Sequence, residues 1–473
     1  MQKQLYMNGE WVEGQQFADL YSPHTKELLA QIPQATAEQV TQAIDYAEAA
    51  RVEMANLTAL QRAEILEHIA QLFKENRQRA AEIISLEGAK PIKFALAEID
   101  RTIETYKFAA EEAKRLTGEM IPMDAAKGGA GRFGYTIQEP IGVIGAITPF
   151  NFPQNLVAHK VGPAIAAGNT IVLKPASQTP LSGLFLTELI AQTNLPKGAF
   201  NLVTGGGRVV GDALVTSDKV KMITFTGSPA VGIGIRNKAG LKRVALELGS
   251  NAGLIIDRDT NIDEIVAKCV VGAFSNQGQV CISIQRIYVL DEVAEQFITK
   301  FIAATKQLKV GNPLKADTDI AAMIHADEQL RAQSWVDEAV ANGAELLTGG
   351  KIVEGIFAPT ILKKVAAIEK VNCQEVFAPI VSVNIISSIE EGIAAINDSN
   401  YGLQAGIFTK DIQTAFKAAK ELEVGGVIIN DIPTYRVDQM PYGGVKESGT
   451  GKEGLKYAIH EMTESKLIVW NQA

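Results

Sequence analysis

The chain has 473 residues, 47% hydrophobic and 21% charged, with a formal net charge of -9 at pH 7. That length exceeds what one hydrophobic core fills, and the composition is that of a folded globular chain, so two or three domains are expected and general disorder is excluded. An acidic chain with scattered Lys and Arg offers no basic footprint for nucleic acid or an anionic membrane, which leaves a small molecule as the expected partner. The opening MQKQLYMNGEWVEG has no apolar signal-peptide stretch and no later segment runs uncharged for a membrane span, so a cytoplasmic location is expected. Cys269, Cys281 and Cys373 lack CxxC spacing, which argues against a disulfide framework. The histidines are dispersed, and HEMTE at His460 lacks the second His of a zinc helix, so no metal is implied.

In chain order, Thr36 to Gln39 fits a helix capping box, followed by Val40, Ala43, Ile44 and Ala47 at helical spacing. Ile65, Ile69 and Leu72 form a second such run, so the first hundred or so residues read as helical. From Ile141 the texture changes to short β-rich runs, IGVIGAI, NTIVLK, AFNLV, KMITFT and RVALEL, separated by helical stretches such as 180–192. That alternation predicts a parallel sheet covered by helices. A second series, IQRIYVL, FAPIVSVNII, LQAGIFT and GGVIIN, with helical segments such as 414–422 between them, predicts a second α/β domain. GGAGRFGYTIQEP from Gly128 and the closing SKLIVW from Ser465 fit neither sheet and read as edge strands in need of partners.

Several stretches hold residues suited to chemistry. In TPFNFP, Asn151 between two prolines is either a turn residue or an amide held rigidly enough to donate to an oxyanion. In VLKPASQTP, Lys174 stands at a strand end, where doubly wound sheets collect ligands, or is plain surface charge. FTGSPAVG sets Gly227 and Gly232 between strand and helix, as a simple turn or as one that lets a phosphate approach backbone N–H groups; it is not the GxGxxG fingerprint. In ALELGSN, Glu247 is either paired with Arg243 or Lys242, or is a general base whose pKa is raised by burial. SNQGQVCIS places Cys281 behind the flexible pair Gly278 and Gln279, among polar and small residues that keep a thiolate reachable, whereas Cys269 in AKCVVGAF reads as an inert core thiol.

TPFNFP, VLKPASQTP, FTGS, ELGSN, NQGQVC, EVFAPI, NYGLQAGIFT and PYGGVKESGTGKEG resemble, in chain order, the motifs of the aldehyde dehydrogenase superfamily, and the resemblance covers essentially the whole chain. It implies an α/β fold with a Rossmann-like cofactor domain over 1–117 and 138–246, an α/β catalytic domain over 247–450, and a small β oligomerisation element over 118–137 and 451–473. It implies that the Cys281 thiolate attacks the aldehyde carbon while Asn151 and the Cys281 backbone N–H hold the oxyanion, and that Glu247 activates the water that hydrolyses the thioester. NADP or NAD is the implied cofactor, with Lys174 and Glu375 on its hydroxyls, Phe377 by the nicotinamide, Gly227 and Ser228 near the pyrophosphate, and Thr148, Pro149, Phe150, Ser177 and Gly249 completing the site. Glu464 matches a further family glutamate that relays protons. The two edge strands predict a homodimer or homotetramer.

The chain departs from the family pattern in places. Ser177 stands where a carboxylate usually repels a 2′-phosphate, so acceptance of NADP alongside NAD is expected. ELGSN replaces ELGGK, which alters the loop beyond the base at Ser250 and Asn251. Arg101 and Arg436 occupy places where relatives acting on anionic aldehydes carry arginines, and each is either an anion ligand or a surface salt bridge. Val280 replaces the arginine of GQRC, which shifts the expectation from a bulky phosphate toward a small anionic or hydroxy aldehyde. The implied types are lactaldehyde, sulfolactaldehyde, succinate semialdehyde and non-phosphorylating glyceraldehyde-3-phosphate dehydrogenases. The alternatives are a broad-specificity aldehyde dehydrogenase, a CoA-acylating one, against which Glu247 speaks, and an inactive structural or binding homologue.

Overall fold

The computed structural model describes residues 1–472. The chain opens with four short strands, Leu5–Met7, Glu10–Val12, Phe17–Tyr21 and Leu28–Pro33, which corrects the helical reading of the N-terminal segment. Asn8 (φ 53°) and Gly9 (φ 79°) form a two-residue turn that sets Leu5 opposite Val12. Such a turn has the twist that a hairpin needs, and a search for helical spacing passes over it. Beyond it, helix Ala37–Asn56 starts at the expected capping box: Thr36 Oγ1 accepts from Gln39 N–H and Thr36 N–H donates to Gln39 Oε1. Its Val40, Ala43, Ile44 and Ala47 are all buried.

The first sheet has eight strands, and its centre is a parallel set in the order Phe200–Leu202, Thr170–Lys174, Val143–Ile147, Val220–Thr226, Arg243–Glu247. Val143–Ile147 comes first in sequence yet lies between Thr170–Lys174 and Val220–Thr226, so the winding reverses there. A crevice therefore opens at the carboxyl ends of these strands, where Thr148, Lys174, Gly227 and Glu247 fall. The second sheet has seven strands in the order Glu345–Thr348, Thr360–Lys363, Ile380–Ile386, Arg286–Leu290, Gly253–Ile256, Gln404–Phe408, Gly426–Ile429, parallel except at the first. Among the described residues no helix is long and apolar enough to cross a membrane.

The two orphan strands partner each other. Arg132–Pro140 runs antiparallel to Thr463–Asn471, with Met120–Ile121 on its other side. This sheet therefore extends to Pro140, past the expected boundary at 137. At the other end, helix Leu455–Glu461 packs on Ile92–Ala113 and Asn155–Ala167, and Leu455, Ile459 and Met462 are buried in the same core as Ile144 and Ile171. Within 451–473, then, only the terminal strand belongs to the small sheet; the helix is apolar on one face and is drawn into the first domain's core, at roughly 1.5–3 kcal/mol per large buried side chain.

Candidate active site

Helix Ile262–Phe274 ends in a turn of three left-handed residues, Asn276 (φ 50°), Gln277 (φ 57°) and Gly278 (φ 68°), and the chain emerges at Cys281. The sequence suggests a flexible approach to the thiol; the structure shows a clamped one. Gln277 Nε2 donates to Ala89 O at 3.1 Å and Ala322 O at 2.9 Å, and Gln279 Oε1 accepts from Ile324 N at 3.0 Å. Asn276, Gln277 and Gln279 are buried, and the amide N–H groups of each donate to backbone carbonyls, within the turn for Asn276 and Gln279 and on other segments for Gln277. Cys281 itself is half-buried and faces the crevice. Cys269 is fully buried, as an inert core thiol should be.

The crevice is a cleft of about 950 Å³ whose walls bring together Thr148, Pro149, Phe150 and Asn151 from the first strand's end, Lys174 and Ser177 from the next, and Gly227 and Ser228 from the fourth, with Cys281, Glu375 and Phe377 from the second domain. Gly227 and Ser228 lead into helix Pro229–Lys238, whose free N–H groups form an anion site of the kind a pyrophosphate uses. Lys174 makes one hydrogen bond, to Pro175 O at 3.1 Å, and burial lowers its pKa to about 8, so ammonium hydrogens remain for a ligand hydroxyl. Glu375 Oε1 accepts from Ser250 N at 3.0 Å, and burial pushes its pKa up to about 7. Gly249 is set back from the cleft wall, where an added Cβ would stand 3.0 Å from Glu375 Oε2. Phe150 and Phe377 meet edge to face at 5.8 Å. Ser177 is exposed and donates to Gly205 O at 3.3 Å. These groups fit a dinucleotide.

Asn151 is 4% exposed, and its Nδ2 donates to Gln279 O at 3.0 Å, which leaves one amide hydrogen free. The segment that follows is anchored from below. Glu98 Oε1 accepts from Gln154 N (2.9 Å) and Asn155 N (3.2 Å), while its Oε2 is paired with buried Lys90 at 2.5 Å. Lys90 Nζ also lies 3.8 Å from the centre of the Phe152 ring. Asn251, after the departure from ELGGK, is likewise structural: its carbonyl and Oδ1 accept from the buried Arg286 guanidinium at 2.8 and 3.2 Å.

Glu247 ends strand Arg243–Glu247 without the expected partner, because Arg243 is engaged by Glu461 O, Thr463 O and Glu464 Oε2. Its Oε2 has no hydrogen-bond partner. The side chain borders, with His159, Lys452 and Glu453, a separate cavity of about 10 Å³, room for a single water. Burial and the neighbouring Glu453 raise the Glu247 pKa well above the ordinary carboxylate range. Glu453 is pushed up by burial but held down, to about 2, by Lys160 at 3.2 Å and Arg436 at 2.9 Å. One carboxylate of this buried pair is thus ionised and the other is inclined to keep its proton.

Glu464 is not part of this group. It lies on the terminal strand opposite Glu139, its side chain 67% exposed and paired with Arg243 at 2.6 Å. The relay expected at Glu464 is corrected accordingly: the carboxylate beside Glu247 is Glu453, which the sequence reading missed and whose only signal is its place in the motif PYGGVKESGTGKEG. Neither arginine lines the cleft, and each forms an ion pair, as the second alternative expected, although that of Arg436 is buried and not at the surface. Arg101, 30% exposed, pairs with buried Asp438, which also accepts from Asn155 and bonds His159 Nε2. Arg436, 6% exposed, pairs with Glu453 and stacks 3.7 Å over the ring of Tyr442, whose hydroxyl is 2.8 Å from Cys281 Sγ.

A dinucleotide-sized cleft at the switch point of a doubly wound sheet, open to a second α/β domain, is the architecture of a nucleotide-dependent oxidoreductase. The description of the aldehyde dehydrogenase family matches residues 11–468, and the chain belongs to that family. It is an NAD(P)-dependent aldehyde dehydrogenase. It is 46% identical to a 3-sulfolactaldehyde dehydrogenase of Priestia aryabhattai over 467 residues, covering 99% of this chain and 98% of the relative. Among solved structures it resembles an aldehyde dehydrogenase from Physcomitrella patens in complex with the reaction product succinate, at TM-score 0.97 and 40% identity over 100% of this chain and 98% of that one. It also resembles a glyceraldehyde-3-phosphate dehydrogenase from Methanocaldococcus jannaschii complexed with NADP, at TM-score 0.93 and 42% identity over 97% of this chain and 100% of the other.

Proposed function

We propose that the chain oxidises a small hydroxy or anionic aldehyde to its carboxylic acid through a covalent adduct on Cys281. The observation that carries this reading is the Cys281 thiol on the wall of the cofactor cleft, with the Asn151 amide on the same wall. Once the thiol has given its proton to solvent in the open cleft, the sulfur bonds to the aldehyde carbon and the carbonyl electron pair moves to oxygen, to which Asn151 Nδ2 and the Cys281 N–H donate hydrogen bonds. NAD or NADP, when bound, would supply a nicotinamide able to accept the hydride from that carbon, while the electron pair on oxygen re-forms the carbonyl and leaves a thioester on Cys281. Glu247 then removes a proton from the water that attacks the thioester; the C–S bond breaks, its electron pair returns to sulfur, and the acid leaves. A carboxylate with a raised pKa suits that task. Lys174 and Glu375 are assigned to cofactor hydroxyls, Phe377 to the nicotinamide, and Gly227 and Ser228 to the pyrophosphate.

The names of the relatives support the substrate class. The exposed Leu467, Val469 and Trp470 on the terminal strand support a homodimer or homotetramer. Three unpaired cysteines suit a cytoplasmic, reducing setting. NAD(P)H absorbance with an aldehyde panel, with and without CoA, tests the proposal. Lactaldehyde, 3-sulfolactaldehyde and succinate semialdehyde are expected to exceed propanal and benzaldehyde in kcat/KM by at least about tenfold, roughly one charged hydrogen bond, without help from CoA. Preference for the unsubstituted aldehydes, or turnover that needs CoA, would overturn it.

A further inference from the structure

Tyr442 sits in a stretch whose tyrosine no sequence argument uses, yet its hydroxyl lies 2.8 Å from Cys281 Sγ. Among the described residues no other side chain hydrogen-bonds that sulfur. The placement is built, since Tyr442 is 2% exposed and packs with Ile282 and Leu403. Its backbone exchanges hydrogen bonds with Glu453, at 2.9 Å from Tyr442 N and 2.6 Å to Tyr442 O. The Arg436 guanidinium covers the ring at 3.7 Å from its centre and is itself held by Glu453 at 2.9 Å.

The electrostatics give this contact a task. A thiolate at Cys281 must form in a partly desolvated site, and burial pushes the thiol pKa up to about 11, against which the Tyr442 hydrogen bond and then the Arg436 charge act downward. A hydrogen bond to the charged form favours that form, and a bond to an ion is stronger than one to a neutral group. The phenol is not a base here, because burial and then the Cys281 charge raise its own pKa well above the ordinary value. It keeps its proton and donates. The cation on the ring face draws electron density from the phenol, which makes its O–H a better donor.

We propose that Tyr442 is a catalytic residue that donates a hydrogen bond to the Cys281 sulfur, with Arg436 as the positioning residue that strengthens the donor through the ring. The sulfur carries negative charge twice in the cycle, before it attacks and when the thioester opens, and the same O–H meets it both times. The proposal rests on the reading of Cys281 as nucleophile.

The test is the pH dependence of iodoacetamide alkylation of Cys281 in the free enzyme, followed on the Cys281 peptide by mass spectrometry so that exposed Cys373 does not interfere. Tyr442→Phe keeps the ring and removes the donor. It is expected to raise the alkylation midpoint by about one pH unit and to slow alkylation near pH 8 about tenfold, the effect of losing one charged hydrogen bond. Arg436→Gln is expected to move the midpoint the same way by less. Site-specific 3-fluorotyrosine at 442, with a more acidic phenol in the same packing, is expected to move it down; this arm decides the matter if the phenylalanine variant does not fold. A midpoint unmoved by either Tyr442 replacement overturns the proposal. Cys281→Ala separates the two readings: an inactive Cys281→Ala with an unaltered Tyr442→Phe midpoint removes the role of Tyr442 alone, whereas an active Cys281→Ala removes the nucleophile.

Discussion

Replacing Gly278 with alanine probes the turn that presents Cys281. Gly278 has φ +68°, and a Cβ there would stand 2.1 Å from Ala378 O, 2.6 Å from Ala378 C and 3.0 Å from Pro379 N. A left-handed conformation costs a non-glycine residue roughly 1–2 kcal/mol. The contact adds to that, because backbone atoms cannot swing aside as a side-chain tip can, so the turn or the segment holding Phe377 must move by about an ångström to restore van der Waals distance. The total is about 2–4 kcal/mol of stability, in the range of strained special positions. The displaced turn also carries Gln279 O, the acceptor that orients Asn151. A misplacement of this size costs on the order of 10²-fold in rate. Stopped-flow measurement of the NAD(P)H burst with saturating aldehyde, alongside urea unfolding, reads both effects. A Gly278→Ala enzyme with the wild-type burst rate and unfolding midpoint would refute the claim that this turn is held rigid to aim the thiol.

Three further outcomes are expected. Ser177→Glu should raise the KM for NADP about tenfold more than that for NAD, the low end of a like-charge contact at about 4 Å because the position is exposed; an unchanged cofactor ratio in steady-state kinetics would place the selection elsewhere. Protonated Glu247 cannot accept a proton from water, so hydrolysis should speed up as pH rises through its elevated pKa, well above the ordinary carboxylate range; a thioester-hydrolysis rate flat from pH 5 to 8 in single-turnover experiments would contradict this. Sedimentation should give a multiple of the 50.8 kDa chain mass, and Leu467→Lys with Val469→Lys should lower it; a stable, active wild-type monomer at micromolar concentration would end the assembly proposal.

What could be read from the sequence follows the range of the interactions involved. The buried strands Val143–Ile147, Thr170–Lys174 and Arg286–Leu290 were legible because an apolar, β-branched run between turn residues needs no distant partner to be recognised. The capping box at Thr36 was legible for the same reason, since it closes within one helical turn. Lys174 ends a strand, so locating the strand located it; Asn151 and Cys281 were legible from their immediate neighbours and from the family motifs they stand in. Tyr442 and Glu453 were not legible. Tyr442 meets a sulfur 161 positions away, and Glu453 meets Lys160 across 293 positions. Spacing carries no trace of such pairs, and Glu453 and Glu464 are told apart only by burial, 5% exposed against an exposed strand position. The polar run before Cys281 misled in the same way: polarity suggested exposure and flexibility, whereas each amide had found a backbone partner in the interior.

The central claim, a covalent acyl adduct on Cys281 released with the help of Glu247, is tested most directly by trapping the adduct. Glu247→Gln keeps the shape of the side chain and removes its basicity. Mixed with aldehyde and NAD or NADP, quenched in acid and digested, it should yield a Cys281 peptide heavier by the acyl group, with an NAD(P)H burst of about one per subunit and slow turnover afterwards. An unmodified Cys281 peptide from a variant that turns over at the wild-type rate, or an acyl group found on another residue, would contradict the account.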